Sequence, residues 1–490
     1  MYRDGREGEF TESVEYHKFF HKFGGMKSVF NNDTIAALAT PHGTGAIAVI
    51  RISGAEAITI ADKIFADKEG HSKNLASKDG YTIHFGQIAD DELILDEVLI
   101  SIFKAPHSYT GENSVEISCH GSEYIQQQIL QLLHKTGCRP ANAGEFTLRA
   151  FLNGKFDLSQ AEAVADLIAS NSGVAHQVAM QQLRGGFSNK IKALRENLID
   201  FASLVELELD FSEEDVEFAD RTDLKNLVIK IQRVLERLIE SFELGNVIKN
   251  GIPVAIVGKP NAGKSTLLNA LLDDERAIVS DIAGTTRDTI EDEIRIEGIL
   301  YRFIDTAGLR ETTDIIENLG VNRAMEAMKT AAIIMYVFDA HDLSIKDLEN
   351  ELLELEKNIG DAQLIVVANK IDFEELAYLQ KEFESIDNLI FISAKEKLYI
   401  DDLKMKLVGL FDQRAIQVTE TVVTNARHAD ALRRANSAMY IVLEGLDQNI
   451  SGELLAADIR SALQTLGEIT GQVTNDDLLG NIFSKFCIGK

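Results

Sequence analysis

Three cysteines in 490 residues, Cys119, Cys138 and Cys487, are too few for a disulfide framework and show no metal-ligand spacing. Isolated thiols suit a reducing compartment, so a cytoplasmic location is expected. Long apolar runs are also missing. Nothing approaches the roughly 18 residues of a membrane-spanning helix, and the stretch Ile333 to Phe338 is well short. A soluble chain without membrane attachment is expected. Positive charge is scarce as well: 49 Lys and Arg stand against 78 Asp and Glu, a net −29 at pH 7. That balance argues against bulk electrostatic attachment to nucleic acid or anionic membrane, so a nucleic-acid partner must use local basic patches or a second protein. Residues 1–32 hold five basic and five acidic residues and no apolar core, unlike a secretory signal or an acid-poor transit peptide. They read as a disordered leader, within which Met26 offers a second start.

The length predicts about three domains, and 45% hydrophobic residues supply a core for each. From Asp33, β-branched runs at 34–40, 46–52, 81–88, 93–103 and 114–119 and a helical pattern at 122–135 predict a mixed α+β domain over 33–150. Helical periodicity dominates from Ser159 to Ile248, broken by Gly185-Gly186 and by the acidic run Glu213-Glu214-Asp215, which reads as a solvated helix end or a cation site. Strand and helix then alternate to about Phe411, as in a doubly wound parallel sheet, and helices resume at 426–486. The expected architecture is multidomain α/β and α: a sheet domain at 249–412 inserted into a helical domain at 151–248 and 413–490. Two separate helical domains are the alternative.

The strand 252–257 runs into Gly258-Lys259-Pro260-Asn261-Ala262-Gly263-Lys264-Ser265-Thr266, a P-loop. Its backbone N–H groups can cradle phosphate oxygens, Lys264 can reach the β and γ phosphates, and the Ser265 hydroxyl suits Mg²⁺. Asn261, Ala262, Gly263, Lys264, Ser265 and Thr266 are therefore candidate nucleotide contacts. Four further elements follow in order. Gly284-Thr285-Thr286-Arg287-Asp288 offers Thr286 to Mg²⁺, and Asp305-Thr306-Ala307-Gly308 places Asp305 near the metal and Gly308 near the γ-phosphate. Asn369-Lys370-Ile371-Asp372 supplies a carboxylate that pairs with guanine and would be left unpaired by adenine. Ser393-Ala394-Lys395 can give an N–H to the guanine carbonyl. Together they predict GTP as the ligand.

Ras-like proteins orient the attacking water with a glutamine, but Leu309 follows Gly308 here. Glu311, Asp314 and Glu317 are the candidate replacements, and a cation held by Asn261 can stand in for an arginine finger.

The runs Thr34 to Gly54, Ser108 to Glu116 and Gly144 to Lys155, with the terminal Phe486-Cys487-Ile488-Gly489-Lys490, resemble the MnmE (TrmE) family of tRNA modification GTPases over 33–490. The resemblance implies a folate-binding, aminomethyltransferase-like first domain, a helical domain and an inserted Ras-like GTPase domain. It also implies a homodimer, with an FAD- and NADH-using partner of the MnmG kind in a hetero-oligomer. The implied reaction installs an aminomethyl-type group at position 5 of the wobble uridine (position 34) of certain tRNAs. By position, Arg51, Glu116, Lys155 and Lys490 match residues for 5-formyl-tetrahydrofolate or a related reduced folate. Glu317 matches the catalytic glutamate, and Asn261, Ser280, Ile282 and Thr285 match a K⁺ site; Ser280, Thr285 and Thr286 also stand among the nucleotide-binding positions. Ser280 stands where threonine is common. Cys487 mimics a prenylation box that Gly489 and Lys490 fit poorly. The resemblance places it near the folate, as a nucleophile or acid/base, with a disordered tail thiol as the bland alternative. A ribosome-assembly or regulatory GTPase is the rival reading, although such proteins usually carry a basic balance.

Overall fold

The computed structural model describes residues 33–91, 93–210, 221–273, 292–304, 327–342, 344–360, 362–371, 376–410, 421–474 and 476–490. They divide into two compact units. One gathers the described residues within 1–165, 182–232 and 431–490, the other those within 166–181 and 233–430.

The first unit holds a seven-stranded sheet. Its strands are β1 (Thr34–Leu38), β2 (Ile47–Ser53), β3 (Phe65–Ala66), β4 (Thr82–Asp90), β5 (Leu93–Phe103), β6 (Ser114–His120) and β7 (Cys138–Pro140), in the order β3-β4-β5-β6-β2-β1-β7. All pairings are antiparallel except β1 with β7. Strand alternation separates the two faces. Ile50, Ile52, Ile100, Val115 and Ile117 pack beneath the helices Ala57–Ile64 and Glu123–Thr136, against Ile60, Ile129 and Leu133. The opposite face carries Arg51 and Glu116, with Ile83, Phe85 and Leu99 left exposed. The two- and three-residue strands β3 and β7 are too short to produce a readable sequence period.

Helices complete this unit. Gly186–Asp210 and Gly452–Thr470 pack on each other. The last helix, Asp476–Phe483, lies on the helix Glu145–Leu152, where Phe151, Leu152 and Leu158 meet Leu479, Phe483 and Phe486. Burying those rings carries the C-terminal tail back to the first sheet. The acidic run Glu213-Glu214-Asp215 lies outside the described residues.

The second unit contains β8 (Ile252–Val257), β9 (Asp292–Ile296), β10 (Ile299–Phe303), β11 (Ile333–Asp339), β12 (Gln363–Asn369) and β13 (Leu389–Phe391), ordered β13-β12-β11-β8-β10-β9. Only β9 runs antiparallel. It forms a hairpin with β10 through Glu297 and Gly298, both at positive φ, as a two-residue turn between twisted strands requires. Both sheet faces are covered. Val254 and Ile256 face Leu267, Leu271, Leu403 and Leu407, whereas Ala255 and Val257 face Leu348, Leu352 and Leu379. This is a doubly wound sheet of the Ras-like P-loop kind. Strand β8 has β11 on one side and β10 on the other, so the loop leaving its C-terminal end sits at the topological switch point, where such sheets bind ligands. Among the described residues, no helix is long and apolar enough to cross a membrane.

Candidate functional site

The loop after β8 makes two turns that side chains resist. Gly258 lies at φ 142° against the carbonyl of Val337, leaving no room for a Cβ, and Gly263 lies at φ 93° against the amide nitrogen of Asn369. Asn261 takes φ 63°, a left-handed conformation that asparagine tolerates better than most residues, and its side chain is exposed. The helix Lys264–Asp273 then begins, turning its first N–H groups and positive dipole end toward the loop. Lys264 donates from Nζ to the carbonyls of Gly258 and Lys259, at 2.8 and 2.7 Å. Burial pushes its pKa below the ordinary lysine value. An anion in the loop would relieve that desolvation. Lys259 pairs with Glu351, which also accepts from the Tyr336 hydroxyl.

The loops that follow β12 and β13 converge on the same end of the sheet. Asn369, at the end of β12 and only 2% exposed, donates to the carbonyl of Ala262 at 2.8 Å and accepts from the Ala394 N–H at 3.0 Å. Ser393 is buried, and its N–H and C=O both pair with Leu398, closing a tight turn behind Ala394. Lys370 sits at φ 66° with its ammonium 2.7 Å from Asp339. The structure therefore brings together Asn261, Ala262, Gly263, Lys264, Asn369, Ser393 and Ala394, with Ser265 and Thr266 on the first turn of the helix. Ser280, Ile282, Thr285, Thr286, Asp305, Gly308, Leu309, Glu311, Asp314, Glu317 and Asp372 lie outside the described residues.

A second constellation lies in the first unit. Arg51 and Glu116 are register partners on β2 and β6. Both Nε and Nη2 of Arg51 reach Glu116 Oε1 at 2.9 Å. The guanidinium also lies 5.2 Å from the Tyr109 ring centre and 5.7 Å from that of Phe146, and Nη1 donates to the Gly489 carbonyl at 3.5 Å. Such ring contacts hold a cation in place. Glu116 Oε2 has no partner among the described residues. The tail is fastened by backbone: Phe146 N–H donates to Lys490 O at 3.1 Å, and Gly144 N–H to Cys487 O at 3.4 Å. The Cys487 side chain is exposed. Lys155 is exposed and donates to Pro106 O at 3.2 Å. By contrast, burial raises the thiols of Cys119, to about 11, and Cys138, to about 12, so both stay protonated within the core.

Behind this site lies a charge network that sequence reasoning missed. Arg149, 2% exposed, donates to Asp33, Glu112 and Glu145, and Arg139 pairs with Asp33 and Glu145. Ser53 donates to Glu112 at 2.8 Å, which ties the loop 104–113 to β2. Burial alone would raise the Glu145 carboxyl. Arg139, the Asn142 N–H and Arg149 outweigh it and hold the group below the usual carboxylate range. The one sequence signal was the four-residue spacing of Glu145 and Arg149 on a helix. Tyr109, whose phenol is bonded to Thr147 at 2.8 Å, is kept protonated chiefly by burial.

With both sites in view, comparison with known proteins is decisive. A family model described as "MnmE helical domain" matches residues 158–487, and one described as "GTP-binding protein TrmE N-terminus" matches residues 34–155. The chain belongs to the MnmE family. Among its MnmE relatives is the tRNA modification GTPase MnmE of Flavobacterium psychrophilum, 58% identical over 461 residues, which are 94% of this chain and 99% of that protein. The MnmE of Bacteroides thetaiotaomicron is 53% identical over 469 residues, 94% of this chain and all of that one. In this MnmE-family chain the Arg51–Glu116 pair lies within the TrmE N-terminal match, and the P-loop and the docked tail as far as Cys487 lie within the helical-domain match.

Proposed function

We propose that this chain hydrolyses GTP to GDP and phosphate, and that the cycle serves the addition of an aminomethyl-type group to position 5 of the wobble uridine of certain tRNAs. An FAD-dependent partner of the MnmG kind shares the reaction, and the location is cytoplasmic. The observation that carries the reading is the presence, in one MnmE-family chain, of a switch-point P-loop linked to base-reading loops and of a preorganised Arg51–Glu116 site closed by the chain's own C-terminus.

At the nucleotide, Lys264 exchanges its carbonyl partners for phosphate oxygens, while N–H groups of the loop and helix start bind the remainder. Ser265 and Thr286 would hold Mg²⁺, and Asn261, Ser280, Ile282 and Thr285 would hold K⁺. The exposed, left-handed Asn261 beside the phosphate cradle fits that role. Bound there, these cations would supply positive charge to offset the negative charge that develops in the reaction. Glu317 would orient the attacking water, since Leu309 has no polar group to offer.

The donor set of the other site fits a reduced folate. The unpartnered Oε2 of Glu116 can accept from pterin N–H groups, and Lys155 and Lys490 can meet the carboxylates of a glutamate tail. The folate supplies a one-carbon unit. Arg51, held by Glu116, two rings and Gly489 O, fixes the tail that carries Cys487. The open sheet face bearing Ile83, Phe85 and Leu99 is contiguous with Arg51 and Glu116 through the pairings of β4, β5, β6 and β2, which favours a homodimer that covers it.

Mass spectrometry of wobble nucleosides from cells lacking the protein tests the proposal. Loss of the 5-substituent is expected, and unchanged nucleosides would overturn it.

A further inference from the structure

The end of β11 grips the base-reading loop in a way the nucleotide motifs do not describe. Asp339 and Asn369 are register partners at the last position of β11 and β12, and the Ala340 N–H donates to Asn369 O at 3.1 Å. The next residue, Lys370, is held at φ 66°, a region where a lysine is uncommon. Two side chains meet it there. Asp339 Oδ2 accepts from Lys370 Nζ at 2.7 Å while its Oδ1 accepts from the His341 N–H at 3.1 Å. His341 Nε2 lies 3.1 Å from the Lys370 carbonyl, and because a carbonyl can only accept, the ring donates from Nε2. The lysine's backbone and ammonium are thus both fastened to the one short turn Asp339-Ala340-His341. The Asp339 side chain is partly buried, 12% exposed, and its pKa lies below the ordinary value: burial opposes this, and Lys370 and the His341 N–H outweigh it.

We propose that Asp339 and His341 are positioning residues for guanine recognition, clamping Asn369 and Lys370 at the start of the base-reading loop so that its course is preset before nucleotide arrives. The proposal rests on the assignment of that loop to the base. An unclamped Lys370 relaxes out of the left-handed region, and the loop that follows it loses its preset starting direction. Guanine has more to lose than hypoxanthine, because only guanine offers the exocyclic amine as a second donor.

Binding of GDP and of inosine diphosphate should be measured on the full chain carrying Asp339→Asn, His341→Ala or His341→Gln, with thermal melts alongside. The first two variants should raise the GDP Kd about tenfold and the inosine diphosphate Kd by less than about threefold, with GTP KM rising more than kcat falls. His341→Gln, which keeps an N–H donor, should recover most of the loss. His341 is exposed, so that pair reports even if Asp339→Asn folds poorly. Unchanged GDP affinity, with or without a lower melting temperature, would overturn the clamp, and so would an equal loss for both nucleotides. As a control, Asp372→Asn should shift preference toward xanthosine diphosphate. If it does not, the base assignment and the clamp fall together, whereas a shift there with silent clamp variants removes the clamp alone.

Discussion

Asn369 donates through Nδ2 to the carbonyl of Ala262, 107 positions earlier in the chain, and accepts through Oδ1 from the N–H of Ala394. One buried amide therefore sets the spacing between the phosphate loop, its own loop and the Ser-Ala-Lys turn. Asn369→Ala strands a carbonyl and an N–H, at about 1–3 kcal/mol each. The expected result is at least a roughly tenfold weaker GDP affinity in a fluorescent-nucleotide titration. Wild-type affinity would show that the three loops are held independently.

Hydrolysis should depend on the monovalent cation. With Leu309 in place of a polar residue, replacing Na⁺ by K⁺ at equal ionic strength should speed GTP turnover, and Asn261→Ala should erase the difference. Glu317→Ala should still bind GTP but turn over slower by about 10²–10⁴, the range for losing a side chain that acts directly on the attacking water. Equal rates in the two salts would remove the cation from the scheme.

The tail depends on Gly489. It lies at φ 95°, and a Cβ there would press on the Leu38 carbonyl and come within 3.0 Å of Ala39 Cα. Gly489→Ala should cost about 1–3 kcal/mol of backbone strain and release the carbonyl that Arg51 holds. Calorimetry should then find weaker binding of 5-formyl-tetrahydrofolate with GDP affinity kept. Retained folate affinity would mean that the tail is not part of that site.

Acid should loosen the first unit at its charge network. For Asp33, burial raises the carboxyl while Arg139 and Arg149 outweigh it, and Glu145 behaves alike, so both titrate lower in the folded chain than in the unfolded one. Their stabilisation is therefore present above the unfolded value, near pH 4, and is lost as pH falls through the folded value. Hydrogen exchange in β1 and in the helix Glu145–Leu152 should accelerate below about pH 4. Arg149→Leu should destabilise the unit at neutral pH by about 3–5 kcal/mol, because it leaves Glu145 charged, buried and short of a partner. Exchange that is flat with pH would contradict the network's role.

The conformation of the loop after β8 was legible because its motif is contiguous and its glycines act through nearby backbone. Gly258 and Gly263 are required by local φ as well as by close approach, and the strand before them reads from its own apolar run. Strand β9 was not legible: Asp-Glu-Ile-Arg-Ile alternates over only five residues and follows no strong turn signal. The resemblance singled out Arg51, Glu116, Lys155 and Lys490 as candidates, but gave no sign of the aromatic rings and the carbonyl that hold the first of them.

By itself the sequence determined the alternation of strands and helices around the P-loop and the family, since strand periods, loop motifs and terminal residues are local properties of the chain. Only the tertiary structure decided which distant groups meet. Arg51 finds Gly489 across 438 positions because Phe483 and Phe486 bury their rings against Phe151 and Leu152 and deliver the tail there. Arg149 finds Asp33 across 116 positions because β1 and the helix Glu145–Leu152 share a core through Ile35 and Phe146. Such contacts follow from hydrophobic burial, which is non-directional and leaves no spacing in the sequence to read.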